Sequence, residues 1–159
     1  MLVLSHFKGH PMGGFGGALK NVSIGIASSF GKAYIHGAGV PEKIWTADGN
    51  HFKEAMADAD KSILDYFNGN MAFINVMANM SVDCDCCAKA EDPCMKDIGI
   101  LASLDPVALD QACLDLVYNS NDLGRDHLIE RIESRNGIRI IEAASDLNIG
   151  SREYELIEV

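Results

Sequence analysis

The stretch from residue 52 to residue 80 leaves the chain least freedom. Phe52, Ala55, Met56, Ala59, Ile63, Tyr66 and Phe67 recur at helical spacing, with acidic residues, Lys53 and Lys61 opposite them. This period predicts an amphipathic helix over about 52–68, its polar side chains forming a solvated face and Asn68-Gly69-Asn70 ending it. The apolar run Met71–Met80 follows at once and reads as a buried strand.

The same alternation recurs along the rest of the chain. Met1–His6 and Asp97–Ser103 read as further short strands, and Arg152–Val159 alternates enough for a terminal one. Ala18–Ser28 reads as a short helix interrupted by Gly25, and residues 31–50 as irregular. Asp105-Pro106 has an N-cap residue followed by proline at the first helical position, and Leu109, Ala112, Cys113, Leu116 and Val117 then share one stripe. Asp110 is assigned to capping at that helix start, with a side chain pointing back toward the loops as the alternative, and Cys113 to the core. Two more helices are expected at 126–135 and 138–147, separated by Asn136-Gly137. Strands alternating with helices predict an α/β fold, a mostly parallel sheet of about four strands with helices on both faces. With 159 residues, 48% of them apolar, one domain over 1–159 is expected.

Charge narrows the partners. Lys plus Arg number 13 against 23 Asp plus Glu, a net charge of −10. Nucleic acid and anionic membranes need a positive footprint, so neither is expected as a partner. No apolar run approaches the ~20 residues that span a bilayer, and the opening has no signal-peptide pattern, so a cytoplasmic location is expected.

Two segments carry chemistry. Gly9–Gly17 holds five glycines in nine residues and is expected to be a loop after the first strand. It brings His6, Lys8, His10, Gly14, Gly16 and Gly17 together with Lys20 and Asn21 near a helix start, a set suited to an anionic group. The spacing is neither a phosphate-binding Walker loop nor a dinucleotide fingerprint. A tight glycine turn with hydrogen-bonded structural histidines accounts for the same residues.

Cysteine supplies the second segment. Cys84, Cys86, Cys87 and Cys94 lie within eleven positions, and Cys113 stands apart. An odd, clustered count reads as reduced thiols rather than a disulfide framework. Thiolates bind soft or borderline metals, with Asp83 and Asp85 as supporting acceptors or an added ligand. Small half-buried thiols are the plainer alternative. In α/β folds ligands gather beyond the carboxyl ends of strands, where both segments fall. The expected site therefore lies between them, with His6, His10, Cys84, Cys86 and Cys87 as candidate ligands of zinc or iron. Lys8, Lys20 and Asn21 would orient an anionic small molecule. A non-catalytic anion-binding module, or a partner in a redox assembly, is the alternative.

Ser5-His-Phe-Lys-Gly-His10, the glycines, Ala18-Leu-Lys-Asn21, Asp83-Cys-Asp-Cys86, Asp97–Ser103 and Asp105–Asp110 together resemble the uncharacterised iron–sulfur centre proteins, domain of unknown function 362. The resemblance implies a role for Lys8, His10, Lys20, Asn21 and His36, and a metal or iron–sulfur cofactor with redox activity. The ferredoxin-type cysteine insert of that family is missing between His36 and the helix at 52, so a ferredoxin-type cluster is not expected. The chain looks like the C-terminal part of the family domain. The elements so lost would leave sheet surface bare, and a homodimer is expected to cover it.

Overall fold

Burial alternates from the second residue onward. In β1 (Leu2–His6), Val3 and Ser5 are buried while Leu2 and Leu4 face solvent. The computed structural model describes residues 1–84, 86–89 and 91–159. A small antiparallel hairpin follows, β2 (Lys8–His10) against β3 (Gly14–Gly16), with Gly9 opposite Phe15. α1 (Ala18–Lys20) then widens into a π-helical turn over Asn21–Gly25. α2 (Ser29–His36) and α3 (Gly49–Phe67) lead to β4 (Ala72–Met77), and residues 78–98 carry the chain to β5 (Gly99–Ser103). α4 (Pro106–Asn119), α5 (Arg125–Ser134) and α6 (Arg139–Asp146) complete the order.

The protein is α/β, with six helices and a mixed sheet of three strands in the order β1-β4-β5. β1 runs parallel to β4, with Ser5 opposite Asn75, and β4 runs antiparallel to β5, with Asn75 opposite Leu101. The expected mostly parallel, four-stranded sheet is therefore corrected in two respects. A parallel return needs a crossover, usually a helix. Residues 78–98 contain none among those described, so β5 comes back antiparallel. Residues 152–159 join no sheet, because their polar groups go to α4 instead. Arg152 Nε donates to Gln111 Oε1 at 3.0 Å, and Tyr154 Oη to Asp115 Oδ2 at 2.8 Å.

Helices cover one face of the sheet, not both. Val3, Ser5, Phe73, Asn75 and Met77 are buried beneath α1 and α4. The other face is apolar and open, with Leu2, Leu4 and Ile100 exposed by 64%, 63% and 70%, and with Ala72, Ile74 and Val76 between them half-buried.

The helix signals were read correctly where local chemistry decides them. α3 starts one turn before the apolar stripe, because Asp48 accepts from the backbone N–H groups of Asn50 and His51, and it ends with Asn68 in the left-handed conformation. α2 lies where an irregular stretch was expected; the Ser28 hydroxyl caps it by accepting from Gly31 N–H. The expected solvated polar face of α3 is also corrected. Lys53 and Asp60 are buried, since α6 covers one side of the helix and the 21–25 turn another.

Asp105 does cap α4. Its Oδ1 accepts from Val107 and Ala108 N–H at 2.8 and 3.0 Å, and its Oδ2 from Ser151 N–H at 2.8 Å. Asp105→Ala is expected to cost on the order of 1 kcal/mol in urea denaturation through the lost cap. Asp105→Asn, which keeps an acceptor, should retain most of the stability. Unchanged stability in the alanine variant would show that the cap is dispensable.

Candidate functional site

The hairpin and the cysteine segment meet because Gly9 lets them. Its N–H donates to Ser81 O at 2.9 Å, and a Cβ at that position would stand 1.8 Å from Val82 O. Any side chain there would push the two segments apart. From the far side Arg131 of α5 grips the segment through Asp83, with Nε 2.9 Å from Oδ1 and Nη2 3.1 Å from Oδ2. Asp83 is thus spent on an ion pair, and Asp85, the other expected carboxylate, lies outside the described residues.

This junction brings His10, Cys84 and Cys86 together, with their ligand atoms all within 4.8 Å of one another. The three could hold a metal ion. Cys84 is buried and Cys86 exposed. The Cys86 N–H donates to Cys84 Sγ at 3.2 Å, and His10 Nε2 stands 3.9 Å from Cys86 Sγ. Lys20 Nζ lies 3.9 Å from Cys84 Sγ. Burial pushes the Cys84 thiol up and a side-chain bond with Cys86 adds to this, whereas the Cys86 backbone N–H and the Lys20 charge oppose it.

His10 has a defined protonation state. Its Nδ1 accepts from the N–H groups of Met12 and Gly13 at 3.2 and 2.9 Å, which places the ring proton on Nε2, the atom facing the thiols. Burial, then the charges of Lys20, His36, Lys8 and Arg131, pull its pKa down to about 3. The ring is therefore neutral at physiological pH. A metal ion at Nε2 would take the place of that proton, leaving the two backbone N–H groups and the nearby cations to stabilise the ring's added negative charge.

The other candidates have different surroundings. His6 Nε2–H donates to Ala78 O at 2.8 Å, and its Nδ1 faces Lys8 Nζ at 3.4 Å, so both nitrogens are engaged away from the thiols. Cys87 does not join the group; its N–H donates to Cys84 O at 2.9 Å. Cys94 bonds Met80 O through both Sγ and N–H, and Cys113 is core. His36 stacks on Phe52 at 4.7 Å and donates from Nδ1 to Lys32 O. Gly14, at φ +88°, packs against Gly137, whereas Gly16 and Gly17 line a cavity with Lys8, Lys20 and Asn21. Asn21 shapes that cavity's wall, its Nδ2 donating to Leu4 O and Ser5 Oγ, each at 3.0 Å.

Sequence reading placed Asp110 at the start of α4, but it caps a different helix. Its two oxygens accept from Ala18 and Leu19 N–H at 2.8 and 3.0 Å, and Asn75 Nδ2 donates to Oδ1 at 2.7 Å. A Cβ on Gly17 would stand 2.4 Å from that Oδ1. Arg131 and Asn75 carried no local signal in the sequence, since each acts across the fold.

The family described as a domain of unknown function (DUF362) matches residues 1–115. No curated protein and no solved structure matches the chain. No helix among the described residues is long and apolar enough to cross a membrane.

Below this site two acids are fully buried, Asp110 and Asp60. Burial raises Asp110 to about 6, against the pull of its three hydrogen bonds. Asp60 rises well above the carboxylate range through burial and the Asp110 charge, which the Ser23 backbone N–H offsets only in part. Neither Asp60 oxygen has a hydrogen-bond partner of good geometry. Folding thus raises both pKa values, so the stability these groups contribute is full below about pH 4 and is lost as pH rises through about 6 and beyond. Urea denaturation at about pH 5.5 and about pH 8 should show that loss, and Asp60→Asn should shrink it without weakening the fold at neutral pH. An unchanged slope with reduced stability at neutral pH would refute this account of Asp60.

Proposed function

The chain belongs to the DUF362 family, and we propose that this member is a metal-binding protein with redox capacity, its centre held by Cys84, Cys86 and His10. The observation that carries the reading is the approach of those three ligand atoms to within 4.8 Å across the hairpin–cysteine junction. Two thiolates, with His10 as an imidazolate donor once its Nε2 proton leaves, suit zinc or ferrous iron, and three protein donors leave a position for water or a substrate. Iron there would supply one-electron chemistry. The Lys20 ammonium favours the thiolate form of Cys84, and burial of Cys84 limits its access to oxidants. His10 contributes through Nε2 once its proton leaves, so binding releases protons and weakens as pH falls.

The open sheet face supports a second element of the reading, a homodimer in which this face meets its copy. Leu2, Leu4, Ile74, Val76 and Ile100 form a continuous apolar patch in register across β1, β4 and β5. Such a patch on a monomer is a template for association, and a two-fold pairing makes the surface self-complementary.

Anaerobically purified protein is expected to retain zinc or iron by elemental analysis, and cobalt(II) titration should give a thiolate charge-transfer band. Cys84→Ser and Cys86→Ser should abolish the band, and His10→Ala should weaken binding. Metal-free protein with no such band would overturn the metal reading. Light scattering at micromolar concentration should give twice the mass of one chain, falling to one in Leu4→Glu/Ile100→Glu. A single-chain mass in the unsubstituted protein would refute the dimer.

A further inference from the structure

Beside the thiols, between β1, the β2–β3 hairpin and the π-helical turn, lies a cavity of about 320 Å³. We infer that this cavity takes a small molecule bearing a carboxylate or phosphate group, seated on Lys20 and Lys32 with Lys8 at its wall. The inference deepens the metal-centre reading and rests on it for the chemistry that would follow, but the anion seat itself includes none of the three candidate metal ligands.

The charge distribution points there. The chain carries 23 acidic and 13 basic residues, yet Lys8, Lys20 and Lys32 line this one cavity and no described lining residue is acidic. The Lys20 and Lys32 ammonium ions on this cavity repel each other, and an anion between them relieves that repulsion while gaining charge-assisted hydrogen bonds. The walls are shaped for close approach. Gly16, Gly17 and Gly25 line the cavity without side chains, and Asn21 is fixed to β1 by its bonds to Leu4 and Ser5. The turn that presents Asn21 and Gly25 is π-helical, an arrangement frequent at functional sites.

Lys20 connects the two halves of the site, because it lines the cavity and its Nζ lies 3.9 Å from Cys84 Sγ. An anion on Lys20 therefore sits next to the candidate metal ligands, where a substrate atom could reach the open coordination position. The volume lies at the small end of ligand cavities, which suits a compact carboxylate or phosphate ester rather than a dinucleotide.

Inorganic phosphate and succinate, each titrated into the full chain before and after metal removal by a chelator, test the inference by calorimetry and thermal shift. At least one should bind and raise the melting temperature, and the one that binds identifies the phosphate or the carboxylate class. Lys20→Gln and Lys32→Gln should each weaken binding about tenfold or more, whereas Lys61→Gln, on the outer surface of α3, should not. Cys84→Ser should lose cobalt binding but keep the anion, which separates this inference from the metal reading. No binding of either probe, or equal binding in the Lys20 and Lys32 variants that still show the parent far-UV spectrum, would overturn it.

Discussion

The Asp110 carboxylate is the interaction on which the site depends. It lies on the buried face of α4, yet it accepts from the first two N–H groups of α1 and from Asn75 on β4. One side chain thereby joins a helix, a strand and the end of the glycine segment. The N-terminal N–H groups of a helix need partners, and in the core only a fixed acceptor can supply them. Gly17 is part of this arrangement because the carboxylate occupies the space a Cβ would need. The anchored α1 then aims Lys20 and Asn21 toward β1 and the cysteines. Burial taxes the same group, raising its pKa to about 6, and Asp60 on the buried side of α3 adds a second buried acid.

A second constraint is the close contact of the hairpin with the segment after β4. Glycine at position 9 removes the steric obstacle, the Ser81 carbonyl receives its N–H, and Arg131 holds Asp83 from α5. Three separate parts of the chain thus hold the thiols where His10 can face them. The two backbone bonds to His10 Nδ1 determine which nitrogen meets the cysteines. This orientation differs from the common metal site, in which the second ring nitrogen donates. It makes His10 a neutral group whose Nε2–H can donate to a thiolate when no ion is present.

Electrostatics distinguishes this junction from the rest of the molecule. The protein is acidic overall, but Lys8, Lys20 and Arg131 surround His10 closely enough to depress its pKa together with burial. A half-buried positive patch in an acidic protein favours anions locally and opposes the burial that raises the Cys84 thiol. The apolar open face of the sheet lies on the side of β1 and β4 that no helix covers.

Sequence alone determined the elements whose signals are local. The stripe and the Asn-Gly end of α3, the Asp105-Pro106 start of α4, and the helices on either side of Asn136-Gly137 all follow from side chains within a few residues of the backbone they act on. The same reading found the two segments that converge, because unusual densities of glycine and cysteine are visible without a partner. Tertiary structure alone decided the rest. The direction of β5 depended on what its connection lacks, and the path of residues 152–159 on polar partners along α4. Lys53 and Asp60 are buried because other elements cover α3 on more than one side, whereas helical periodicity reports only the stripe against one. The roles of Asp110, Asn75 and Arg131 span 35 to 92 positions in the chain, beyond the reach of any local pattern. A hydrogen bond or ion pair depends on distance in space, and only the folded chain sets that distance.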